Sequence, residues 1–226
     1  MLKYILGLLL VAGYAYCQWK ENYRYPGPIL PASLAQPENI ELVNEPLITQ
    51  TASDLKMVLE PKFDFTIAGL VLVVKPNNSS FCSNNQIVSL LPAHLNISFG
   101  GNLSSGAYKD LKKHGDIFQT SIKYSLQEHQ QINIFSTDKA TRNKILSLRP
   151  GDQVKLRGYG GIIKIYRTGD GPSGPVVGEF QSSPDKLVIT QASDVTVLSK
   201  GSRLFLYLMW TSVVLALLLL IVWLKP

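Results

Sequence analysis

Cysteine is nearly missing from this chain of 226 residues: only Cys17 and Cys82 occur. Cys17 lies in an N-terminal apolar run, which leaves Cys82 alone in the remainder. An internal disulfide and a paired-cysteine zinc site are therefore not expected. Histidine is almost as scarce. His94, His114 and His129 stand 20 and 15 residues apart. No H-x-x-x-H spacing brings two ring nitrogens to one metal, and surface or turn histidines are the simpler reading. Nucleotide and acyl-transfer signatures are missing too. There is no P-loop and no G-x-S-x-G. Gly169-Asp170-Gly171-Pro172-Ser173-Gly174 has the letters of a dinucleotide loop, but Pro172 and Pro175 deny it the helix that must follow. Ser136-Thr137-Asp138-Lys139 and Ser183-Pro184-Asp185-Lys186 match S-x-x-K without the partner motifs a serine acylase needs. No catalytic residue, cofactor or metal is expected.

What the chain does have is apolar sequence at both ends. Leu204 to Leu224 is 21 residues without a charge. At 1.5 Å per residue a helix of that length spans roughly 30 Å, the thickness of a bilayer core. Tyr207, Trp210 and Trp223 fall towards its ends, where aromatic rings favour the headgroup region. A transmembrane helix is expected over 203–225. The N-terminal run Tyr4 to Trp19 is 16 residues. That is short for a span and sufficient for a signal peptide, so residues 1–19 read as either a membrane anchor or a signal peptide. Lys3 stays inside and the middle of the chain crosses. Asn78, Asn96 and Asn102 open N-x-S sequons, which count only in a eukaryotic secretory pathway.

Residues 20–50 carry Pro26, Pro28, Pro31, Pro37 and Pro46. Proline at this density predicts a semi-rigid linker, with a first strand packed on the domain as the alternative. Strands dominate from 51 to 200. Phe63 to Val74 is β-branched and aromatic, and "DIFQTSIKYSL" and "QQINIFS" alternate on a period of two. Thr137 or Asp138 can cap a helix "KATRNKILSL", with Ala140, Ile145, Leu146 and Leu148 as core contacts. Arg149-Pro150-Gly151-Asp152 reads as a turn. After it, Val154, Leu156 and Tyr159 alternate with Gln153, Lys155 and Arg157, and "GIIKIYR" alternates again, as a basic hairpin. Gly158 reads as a bulge. The fold class is mainly β: a small OB-like barrel with one helix, between an N-terminal hydrophobic segment and a C-terminal transmembrane helix.

Four blocks carry a resemblance: "EPLITQTASDLKMVLEPKFDFTIAGLVL", "LLPAHLNISFGG", "IFSTDKATRNKILSLRPGDQVKLRGYGG" and "DKLVITQASDVTVL". In this order, over residues 45–198, the chain resembles a group of bacterial membrane-anchored proteins with a small extracytoplasmic OB-like β domain. Ser98-Phe99-Gly100 stands where that group tends to have Gly-Trp-Gly. No activity is established for the group, so the resemblance implies location and fold and says nothing of chemistry.

Charge is the remaining signal. Lys20 to Phe99 holds five basic and seven acidic residues, whereas Gly100 to Arg203 holds fifteen and nine. The concentration is Lys139, Arg142, Lys144, Arg149, Lys155, Arg157, Lys164 and Arg167, against Asp138 and Asp152. These eight are candidate contacts for an anionic surface or an acidic partner, the plainer reading being a solvated barrel exterior. Nucleic acid is not expected as a partner outside the cytoplasm. The expectation is an integral protein of the inner membrane, its β domain extracytoplasmic, binding or assembling an envelope protein without catalysis. The alternatives are an envelope hydrolase with a dispersed site and anionic lipid or glycan binding by the basic hairpin.

Overall fold

The computed structural model describes residues 7, 10–16, 27–52, 54–76, 91, 93–110, 112–114, 117–119, 124–168, 175–202, 207–208, 210–216 and 218. Its strands are β1 (Glu38–Glu41), β2 (Ile48–Ala52), β3 (Leu55–Pro76), β4 (Ala93–Ser98), β5 (Lys112–His114), β6 (Ile117–Gln119), β7 (His129–Phe135), β8 (Gln153–Arg167), β9 (Gly178–Gln181) and β10 (Ile189–Ser199). Five of them close a ring. β3 pairs with β4, β4 with β7, β10 with β8, and β8 with β3, all antiparallel; β7 and β10 are parallel. The helix Lys139–Ser147 connects β7 to β8. The fold is mainly β, with few helices, and its strand path is consistent with the expected OB-like barrel.

The interior follows from alternation. Phe63, Phe65 and Ile67 of β3, Leu95 and Ile97 of β4, and Leu156 of β8 point into one buried cluster. Each such side chain contributes about 1.5–3 kcal/mol on leaving water. A second cluster forms at the far end of β3 and β8, from Leu55, Met57, Leu59, Ile163 and Ile165. In β8 the buried apolar positions change from even (Val154, Leu156) to odd (Ile163, Ile165). The opposite face of the same strand therefore meets the second cluster. β3 keeps odd positions buried throughout because its register slips between Pro61 and Phe63, a bulge that restores the parity. Pro61 is tolerated there because β1 and β2 pair with β3 on either side of it and leave its missing N–H unneeded.

The stretch expected as a hairpin is one strand. β8 runs unbroken opposite β3 from Leu70↔Gln153 to Leu55↔Arg167. Its glycines serve close approach rather than turning. A Cβ on Gly158 would overlap the backbone carbonyl of Gln191, one on Gly160 the ring of Phe63, and one on Gly161 the carbonyl of Glu60. The expected linker is also corrected. From Gly27 onward the segment belongs to the fold: Pro31–Leu34 forms a 3-10 turn, and β1 and β2 pair with β3. Main-chain pairing accounts for this, since all four residues of β1 are exposed.

The helix starts as expected, with Asp138 Oδ2 accepting from the Thr141 N–H at 2.7 Å. That bond, from backbone first, holds the Asp138 carboxyl below its ordinary value of 3.8. The cap is therefore complete above that value and is lost as pH falls through the depressed one. Ile145 and Leu148 are core contacts, but Leu146 is 47% exposed and Ala140 is exposed; Thr141 is buried instead. Asn96 and Asn102 are 5% and 1% exposed, so two of the sequons are sealed in the folded chain. Asn78 and the glycine-rich 169–174 motif lie outside the described residues.

Residues 10–16 and 210–216 are helical. Among the described residues no helix is long and apolar enough to cross a membrane. Most of the expected 203–225 span lies outside them.

Candidate functional site

The eight basic candidates do not gather into one patch. Lys139, Arg142, Lys144 and Arg149 belong to the helix and the turn after it, Lys155 and Arg157 to the barrel half of β8, and Lys164 and Arg167 to its far half. Several are committed. Arg142 donates to the Ser136 carbonyl at 3.0 Å. Lys144 lies 3.7 Å from Asp194, and Arg157 pairs with Asp64 at 2.8 Å. Asp194 is also the cross-strand neighbour of Arg157. The outer barrel thus carries a line of alternating sign across four elements, Lys144, Asp194, Arg157, Asp64. An anionic surface would meet acids and bases in turn there. Exposed pairs of this kind add little stability.

The structure does bring together a site that alternation concealed. Gln153 begins β8 on the same face as Lys155 and Arg157, yet it is fully buried. The segment 28–33 covers it. Gln153 Oε1 accepts from Leu30 N at 2.8 Å and from Ser33 Oγ at 3.1 Å, and its Nε2 donates to the Pro28 carbonyl at 2.8 Å. Its neighbour Asp152, 2% exposed, holds the other end of the chain. One carboxylate oxygen accepts from Arg149 N and the other from Gly201 N, each at 2.9 Å. Two adjacent side chains thus fix the incoming and outgoing strands of the domain. Gly27 and Ser199 sit side by side, a Cβ on Gly27 falling 3.5 Å from Ser199 Oγ. Beyond them the two helical segments approach, a Cβ on Gly13 falling 3.8 Å from Ser212 Oγ. The sequence signal was an Asp closing an R-P-G-D turn and a Gln opening a strand. Neither reveals a distant partner: Gly201 is 49 positions from Asp152, and Ser33 is 120 from Gln153.

At another place on the barrel, a groove of about 500 Å³ is open to solvent. Gln36, Pro37 and Asn39 form one wall, Gln127, Gln130, Pro184 and Asp185 the other, with Phe99 between. Gln130 is fixed by its own bonds, donating to the Asp185 carbonyl at 2.8 Å and accepting from Leu187 N at 3.2 Å. The rim beside it is stitched by Asn102, which donates to the Ser125 carbonyl at 2.7 Å, while Glu128 accepts from Asn102 N at 2.8 Å. Half of the groove residues are amides, able to donate and accept, and Asp185 is the one charge among them. Among the described residues, no group of three or more His, Cys, Asp or Glu side chains is placed to hold a metal ion.

No known protein family matches the chain, and no curated protein does. Among solved structures, the mitochondrial single-stranded DNA binding protein Rim1 from S. cerevisiae is similar over 62% of this chain and 96% of that one. The identity is 11% and the TM-score 0.27, a likeness too distant to carry any argument about ligand or mechanism.

Proposed function

We propose that this protein is a membrane-tethered β domain that binds or positions another protein in the cell envelope, without catalysing a reaction. The observation that carries this reading is the shared exit: Asp152 and Gln153 hold both chain ends at one place, and apolar helical segments continue from there. Those segments are largely exposed where they are described. Val11 is 69% exposed, Trp210 59% and Leu218 53%. Apolar side chains left open in this way mark a surface meant for lipid or protein. Thr211 and Ser212 donate their hydroxyls to Tyr207 and Leu208 carbonyls at 2.8 and 2.9 Å, which satisfies them inside the helix, as a lipid setting requires. Held at two points, the domain is restrained in both distance and orientation from the bilayer. That suits a positioning role better than turnover of a diffusing substrate.

The domain is placed on the extracytoplasmic side, at the inner membrane. Reporter fusions at residue 20, in mid-domain and after residue 226 test this. Activity of a periplasm-dependent reporter is expected at the mid-domain site and none at the C-terminus. The full chain should also resist carbonate extraction, while a chain ending before Ser202 and lacking residues 1–19 is released. A released full chain, or a mid-domain reporter active only in the cytosol, would overturn the reading.

A further inference from the structure

We infer that the free edge of β1 docks an extended, positively charged segment of a partner protein, which adds to the sheet as a further strand. The inference rests on the proposed partner-binding role and names the surface that serves it. Among the described residues β1 is the end strand of its sheet, paired with β3 alone. Leu42 N donates to the Lys62 carbonyl at 2.9 Å, so Glu38 and Ile40, in phase with Leu42, also turn their main-chain groups towards β3. The N–H and C=O of Asn39 and Glu41 then face away from it. Asn39 also lines the groove, together with Gln127, Gln130 and Asp185. A strand laid against β1 would satisfy its unused main-chain groups while the opposite wall offers amides to the strand's outer edge.

The charge selects the occupant. Glu38 and Glu41 on β1 and Asp185 across the groove are acidic, and no lining residue is basic. A second copy of this chain is disfavoured, because it would add two more glutamates to an edge that is already acidic. Edge strands are commonly guarded by charge against such self-pairing. Here the guard repels another β1 and attracts a lysine- or arginine-bearing strand. Ile40, 63% exposed, offers that strand an apolar contact on the outer face.

The test uses the full chain in non-ionic detergent and fluorescent octapeptides, read by anisotropy. An alternating Lys/Val peptide is expected to bind. An alternating Glu/Val peptide, and the Lys/Val peptide N-methylated at its four central residues, should each bind about tenfold more weakly or worse. Asn39→Pro removes one outward N–H, a change edge strands tolerate, and should weaken Lys/Val binding by about tenfold. The double variant Glu38→Lys, Glu41→Lys should reverse the preference between the peptides. No binding of the Lys/Val peptide overturns the inference. Binding insensitive to both N-methylation and Asn39→Pro overturns it as well, since mere charge attraction would then explain the result. The readout is independent of membrane side, so a failed topology result leaves it standing, and a failed peptide result leaves the tether standing.

Discussion

Alanine at Gly158 is expected to cost at least about 3 kcal/mol and leave the barrel largely unfolded under mild denaturant. The added methyl has nowhere to go: it would overlap the carbonyl of Gln191 and crowd the Cα of Ala192 at 3.0 Å. Both are main-chain groups of β10, so no side-chain rotation relieves the clash. β8 and β10 must part at the Ala192↔Gly158 pair, next to a register shift that already strains the ladder. Gly27→Ala serves as the control, because its Cβ would meet only Ser199 Oγ at ordinary contact distance. Denaturant midpoints followed by circular dichroism measure both. Equal midpoints for the two variants would show that the strands are not as close as described.

Asp152→Ala is expected to cost about 3 kcal/mol. Arg149 N and Gly201 N would each lose a carboxylate acceptor, and the second bond is buried. Asn at the same position keeps one oxygen and should recover about half of the loss. Stability alone would not separate a general defect from release of the outgoing strand. Trypsin sensitivity does, because Lys200 is exposed and directly precedes the held Gly201. In Asp152→Ala, cleavage after Lys200 should speed up while deuterium exchange at the Leu30 amide, held by Gln153, stays slow. Unchanged cleavage together with unchanged stability would remove the clamp from the account.

Much of this architecture was written in local pattern. The alternation of Val154 and Leu156 against Lys155 and Arg157, the capping Asp138, and the helix between two strand groups are all recovered. What escaped has a common cause. β1 is joined by main-chain hydrogen bonds and shows no alternating burial, so Pro37 and Pro46 on either side of it spoke louder than its strand character. Gln153 looks like a surface residue until a segment distant in sequence lies over it. Gly158 read as a bulge within a hairpin because only a neighbour across the sheet shows why it, Gly160 and Gly161 lack side chains. The charge-rich stretch was legible as a count, but its neutralisation was not. Asp64, which pairs with Arg157, is 93 positions away.

The parallel contact between β7 and β10 has only the pairs Ile189↔Asn133, Thr190↔Ile134 and Gln191↔Phe135, whereas β3 and β8 share a ladder running the length of β8. Parallel pairing is also slightly the weaker kind per residue. The cylinder therefore has a seam, and thermal breathing should begin there. The amide proton of Asn133, which donates across the seam to the Val188 carbonyl at 2.9 Å, is expected to exchange with deuterium sooner than those of 154–157, on the reasoning that the shortest row of bonds opens at the lowest free energy. Such unzipping would splay the wall without loosening the bonds of Asp152 and Gln153, so a transiently opened molecule would keep its first and last segments side by side while it re-closed.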